Sequence, residues 1–183
     1  MAMDIFNKLI ARKFRNIAGG RYEEIAKRYK EFLLLPEEFV LPEISSILVP
    51  VDRFAHEIPK ELYETLEAYT GASVTVVYIT DRMAFRMIEQ TLGKLEAEKL
   101  KMAETELGER ALFEIVSGLR DIGLRAKGRH LFGSKSDEVI KLAGEFDLLV
   151  ISRGYGSEIT KISPISPVVL KIVQHVDKPT IVY

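Results

Sequence analysis

From residue 46 onward the chain alternates two kinds of segment that cannot be the same element. Ile47-Leu48-Val49-Pro50-Val51 is apolar at odd and even positions alike, short, and closed by polar Asp52. A run of that kind is a strand buried on both faces. Val74 to Ile79 and Leu148 to Ser152 repeat the pattern, and Thr180-Ile181-Val182-Tyr183 ends the chain with another. Leu124 to Phe132, interrupted by Lys127 and Gly128, is weaker and reads as an edge strand. Between these runs lie stretches of helical period. They are Ile58 to Tyr69, a proline-free span from Arg82 to about Gly123, Glu138 to Gly144, and Pro167 to His175. Gly93, Gly108 and Gly118 are bend points of the long span, which forms one helix or two. Ser134 with Asp137 resembles a capping box, and Ser166-Pro167 is a standard helix start.

Strand and helix in strict alternation impose a parallel sheet with helices over both faces. The expected fold class is α/β, a doubly wound five-stranded parallel sheet. With the winding reversed after the third strand, a ligand crevice falls between the carboxyl ends of the first and fourth strands. Asp52-Arg53 then faces Ser152-Arg153-Gly154.

Residues 1–44 differ, forming a helical N-terminal arm and linker ahead of a domain at 45–183. Ile5, Phe6, Leu9, Ile10, Phe14 and Ile17 make one helical stripe; Tyr22, Ile25, Ala26, Tyr29 and Leu33 make a second, beyond Gly19-Gly20. Lys8, Arg12, Lys13 and Arg15 stand against Asp4 alone. Two readings stay open: an arm packed on the domain or a partner subunit, and a basic amphipathic helix touching a membrane surface through residues 1–35. Composition narrows the setting. With 26 basic and 27 acidic residues among 183, the net charge of −1 gives no general attraction to nucleic acid. The absence of cysteine excludes thiol catalysis and Cys-ligated metals. No apolar run reaches the roughly 18 residues of a membrane span, and Asp4 and Lys8 spoil the opening stretch as a signal peptide. A cytoplasmic protein is expected.

The crevice is poor in catalytic groups. Asp52 suits a ligand amine or hydroxyl, a metal, or the capping of its own loop. Arg153-Gly154-Tyr155-Gly156-Ser157 has glycines that let backbone N–H groups turn toward an anion. Ser166 opens a helix whose N-terminus attracts anions, but Pro167 removes one donor. His56, His130 and His175 lie at no metal-ligand spacing from one another. The P-loop pattern is absent.

Four segments in order resemble the universal stress protein family. Ile47 to Asp52 is similar to its opening strand, Ala72 to Ile79 to its second, and Asp147 to Gly154 to its fourth. Val168 to Tyr183, with Gln174-His175-Val176-Asp177-Lys178-Pro179, resembles its closing helix and strand. The resemblance covers residues 45–183. It implies an adenine nucleotide alpha hydrolase-like, flavodoxin-like layout, a homodimer paired through Thr180, Ile181 and Val182, and a cytoplasmic stress-response role. Many members bind ATP, and the matching positions are Pro50, Asp52, Ile79, Ile151, Gly154, Ser166 and Val168. The family's phosphate loop reads Gly-x2-Gly-x9-Gly-Ser/Thr. Here Ile151 stands at the first glycine, Gly154 at the second and Ser166-Pro167 at the closing pair, with eleven residues in place of nine. Two lost charge-assisted bonds, at about 1.5–3 kcal/mol each, weaken nucleotide binding by two to four decades. The expectation is therefore a non-catalytic adaptor or regulatory protein with an unknown protein partner and no firm cofactor. Its rivals are an ATP-binding stress-response switch and a cytosolic regulatory module of a membrane transporter. Arg53, Arg153, Ser157, Thr160 and Lys161 leave the crevice mouth basic, suited to a smaller anion.

Overall fold

In the computed structural model, residues 43–183 are described; the expected helices and basic stripe of the arm lie outside the described residues. The strands are β1 (Ser46–Val51), β2 (Ser73–Asp81), β3 (Arg125–Gly133), β4 (Leu148–Ile151) and β5 (Thr180–Val182). All neighbours are parallel, in the order β3-β2-β1-β4-β5. The winding reverses as the alternation requires, so β1 and β4 are adjacent with their carboxyl ends at one edge of the sheet.

The helices are α1 (Lys60–Glu67), α2 (Arg82–Leu92), α3 (Lys94–Asp121), α4 (Lys135–Ala143) and α5 (Pro167–His175). Period-two alternation splits the strands between two cores. Ile47, Val49, Val51, Val74, Val76 and Tyr78 join Leu62 and Leu66 of α1 and Ile115 and Leu119 of α3 on one face. Leu48, Val77, Ile79, Leu149 and Ile151 join Val139 of α4 and Val169 and Ile172 of α5 on the other. The apolar runs of β1, β2 and β4 are thus continuous because both faces of these strands are covered.

Of the three candidate bends in the long span, only Gly93 is one, with φ +89° between α2 and α3. Gly108 and Gly118 stay helical and serve contact. A Cβ on Gly108 would lie 2.8 Å from the Tyr78 ring, and one on Gly118 would lie 2.8 Å from the Tyr63 hydroxyl. The expected start of α4 at Glu138 is corrected to Lys135, because Ser134 is the N-cap, bonded to the Asp137 amide at a long 3.5 Å. The Asp137 carboxylate does not return the bond; it meets Lys171 of α5 at 2.8 Å.

Candidate functional site

At the switch point the chain leaves β1 through Asp52, whose carboxylate is fully buried. Oδ1 accepts the amides of Phe54 and Ala55, both at 3.0 Å, which folds residues 52–55 into a turn. Oδ2 accepts the Lys135 ammonium at 2.5 Å and the Gly156 amide at 2.9 Å. Four donors from three segments therefore converge on one carboxylate. Lys135 is buried too, its side chain 9% exposed, and its ammonium also lies 4.8 Å from the Phe54 ring centroid.

Opposite Asp52, the loop after β4 is held from beneath. The Tyr155 ring is fully buried, and its hydroxyl donates to the Lys135 carbonyl at 3.2 Å. Burial pushes the Tyr155 phenol well above its ordinary pKa, helped by the nearby Asp52 charge, so it stays a neutral donor. Gly156 has φ +90°, and a Cβ there would lie 2.5 Å from Val168, so only glycine brings this amide to Asp52. Ser166 is 1% exposed. Its hydroxyl donates to the Tyr155 carbonyl at 2.5 Å and accepts the amides of Val168 and Val169 at 3.1 and 3.4 Å. The N-terminus of α5 is capped by its own serine, and Pro167 offers no N–H.

The positions read from sequence thus fall in two sets. Asp52, Gly154, Ser166 and Val168 gather around the crevice. Pro50 is buried near the end of β1, and the side chains of Ile79 and Ile151 belong to the second core, leaving their backbones alone to face a ligand. Lys135, Tyr155 and Gly156 are additional residues of the constellation. A lysine at the first position of a helix is the signal for Lys135, since the helix dipole disfavours a cation there unless a carboxylate receives it.

Outside this bonded centre, residues 152–154 and 157–159 with Phe54 line a shallow cleft of about 330 Å³, in which Arg153 and Glu158 bring opposite charges. The Ser157 hydroxyl oxygen is buried without a hydrogen-bond partner among the described residues. His56 is turned back on its own loop, Nδ1 lying 2.9 Å from the Arg53 carbonyl. On the other side of the sheet Thr80 and His130 are 2.8 Å apart, but Thr80 is fully buried, which denies its hydroxyl a substrate. Among the described residues no three His, Asp or Glu side chains cluster as a metal site requires.

No family model matches the sequence, and no curated protein does. Solved structures do match. Universal stress protein UspA from Lactobacillus plantarum superposes with a TM-score of 0.62 at 19% identity, covering 76% of this chain and 97% of its own. A universal stress protein family member from Burkholderia pseudomallei gives 0.57 at 19%, covering 78% and 98%. The chain has the universal stress protein fold. The loop after β4 has its Gly156 amide bonded to Asp52, and the Ser166 hydroxyl that ends it bonded to the Tyr155 carbonyl. No described helix is long and apolar enough to cross a membrane.

Proposed function

We propose that this chain is a universal-stress-protein-type regulatory domain that acts by protein contact and dispenses with a conventional nucleotide grip. The observation that carries this reading is the saturation of the crevice. Asp52 is satisfied by four internal donors, and Ser166 spends its hydroxyl on Tyr155 and the first turn of α5. A nucleotide would have to break a buried ion pair to reach Asp52, and α5 has no uncapped amide in its first turn for a phosphate. Pairing of two copies through Thr180, Ile181 and Val182 belongs to the same reading. Calorimetric titration of the full chain with ATP and Mg²⁺ should give no heat up to millimolar nucleotide; a micromolar saturable signal would overturn the proposal.

A nucleotide or small-anion switch is the second reading, favoured by one feature. The buried Ser157 hydroxyl, without a partner among the described residues, belongs to a residue that lines the cleft together with exposed Arg153 and Glu158. Saturable heat with inorganic phosphate, lost in Arg153→Gln, would select it.

A further inference from the structure

The α2–α3 hairpin is poorly explained by the two cores. β2 runs directly into α2, with Asp81 accepting the amides of Met83 and Ala84 at 2.8 and 3.2 Å, and Gly93 then reverses the chain into α3. None of the eleven residues of α2 is buried. A helix this short gains its stability chiefly from packing an apolar face, yet Met83, Met87 and Leu92 remain exposed. What α2 does build is one wall of a cleft of about 490 Å³, closed on the other sides by α3 and the end of β3. That volume is in the range of small-molecule sites.

The cleft has a definite chemistry. Phe85 and Phe132 are half-buried rings along its sides, and buried Ala97 leaves room at its floor. Four of its side chains are cationic and two are carboxylates. Arg82 is engaged by the Phe132 carbonyl at 2.7 Å, and Lys94 lies 4.0 Å from Glu98. Arg86 and Lys101 have no carboxylate within ion-pair distance among the described residues. Lys101 lies over the Phe132 ring, 5.0 Å from its centroid. His130 already stacks on Phe132, with centroids 4.8 Å apart. A flat apolar body would therefore lie on the Phe85 ring and meet Phe132 at its edge, and one negative group carried toward Arg86 and Lys101 would answer the two cations. A neutral ligand would desolvate two cations without return. A polyphosphate would meet Glu89 and Glu98.

We propose that the cleft between α2, α3 and the end of β3 is a second binding site, for an organic anion with a planar apolar body and a single acidic group. It shares no residue with the switch-point crevice, so it stands whether or not that crevice binds nucleotide.

The probe is 8-anilinonaphthalene-1-sulfonate, an aromatic monoanion, titrated by fluorescence into the full chain beside its neutral relative N-phenyl-1-naphthylamine. The expected result is one saturable sulfonate site per chain, tighter than the neutral probe. Arg86→Gln with Lys101→Gln should weaken the sulfonate by about tenfold or more and leave the neutral probe nearly unchanged. Both residues are exposed, so the double variant should retain the parent circular dichroism spectrum. Phe85→Ala should weaken both probes. Equal loss of both probes in the charge variant, no loss of either, or no sulfonate binding at millimolar concentration would each overturn the proposal.

Discussion

Asp52 and Lys135 show how a single ion pair decides what the switch point can hold. The carboxylate is fully buried and the ammonium nearly so. Removing one partner strands the other, at a cost of about 3–5 kcal/mol, whereas removing both is often close to neutral. Lys135→Met should therefore lower the urea midpoint sharply, and Asp52→Asn combined with Lys135→Met should recover part of the loss, the Gly156 amide being left without its acceptor. Equal midpoints for the single and double variants would show that the stranded Asp52 charge is not the source of the loss. Asn keeps one carbonyl oxygen, enough for the Phe54 and Ala55 amides that share Oδ1, and gives up only the acceptor of the Gly156 amide, whereas Leu would strand all three.

Between elements, Asp147 does for the amino ends of the strands what Asp52 does for the carboxyl ends. Its Oδ2 accepts the hydroxyls of Ser45 and Ser46, both at 2.8 Å, and their amides at 3.1 and 2.9 Å, pinning the start of β1 to the start of β4. The two serine hydroxyls are the main cause, with the amides adding to them, of a carboxyl held down to about 2. A carboxylate depressed in the folded state stabilises it fully above the ordinary carboxylate pKa, and that contribution fades as the pH falls toward about 2. Urea midpoints measured from neutral pH downward should fall more steeply through this window for the parent than for Asp147→Asn; parallel profiles would remove Asp147 from the acid response. Elements of this kind are legible in sequence to different depths. β1, β2 and β4 are readable because they are buried on both faces, and a two-sided apolar run of that length suits little besides a covered strand. Pro167 to His175 is readable because Ser166-Pro167 and the apolar stripe agree with the structure. The inward bonds of the crevice are not, since Asp52 and Lys135 are 83 residues apart and Asp52 and Gly156 104 apart. No local pattern announces such pairings. Placing the start of α4 at Glu138 also hides Lys135 inside a supposed loop. Gly108 and Gly118 mislead in a related way: a glycine that admits a tyrosine ring is indistinguishable in sequence from one that bends a helix.

For the molecule as a whole, the two edges of the sheet are treated differently, and the difference argues for pairing. The outer edge at β3 exposes Arg125, Lys127 and Arg129, charges that discourage another strand from adding. The edge at β5 has no such guard. Its bonds to β4 use the Pro179 carbonyl, which accepts from the Leu149 amide, and both backbone groups of Tyr183, at 3.1 Å to Ile151 and 2.7 Å from Arg153. By the alternation of a parallel ladder, Thr180 and Val182 then turn their own backbone groups outward. The Val182 side chain is 41% exposed beside them. An apolar edge whose donors and acceptors have no partner among the described residues is completed most simply by the same edge of a second copy across a two-fold axis. Light scattering at micromolar concentration should accordingly give twice the 20.7 kDa chain mass. Val182→Pro removes an outward N–H, which an edge strand tolerates, while taking a donor from the intermolecular ladder. That variant should scatter as a monomer with the parent's circular dichroism spectrum; a monomeric parent, or a variant that remains dimeric, would place the contact elsewhere.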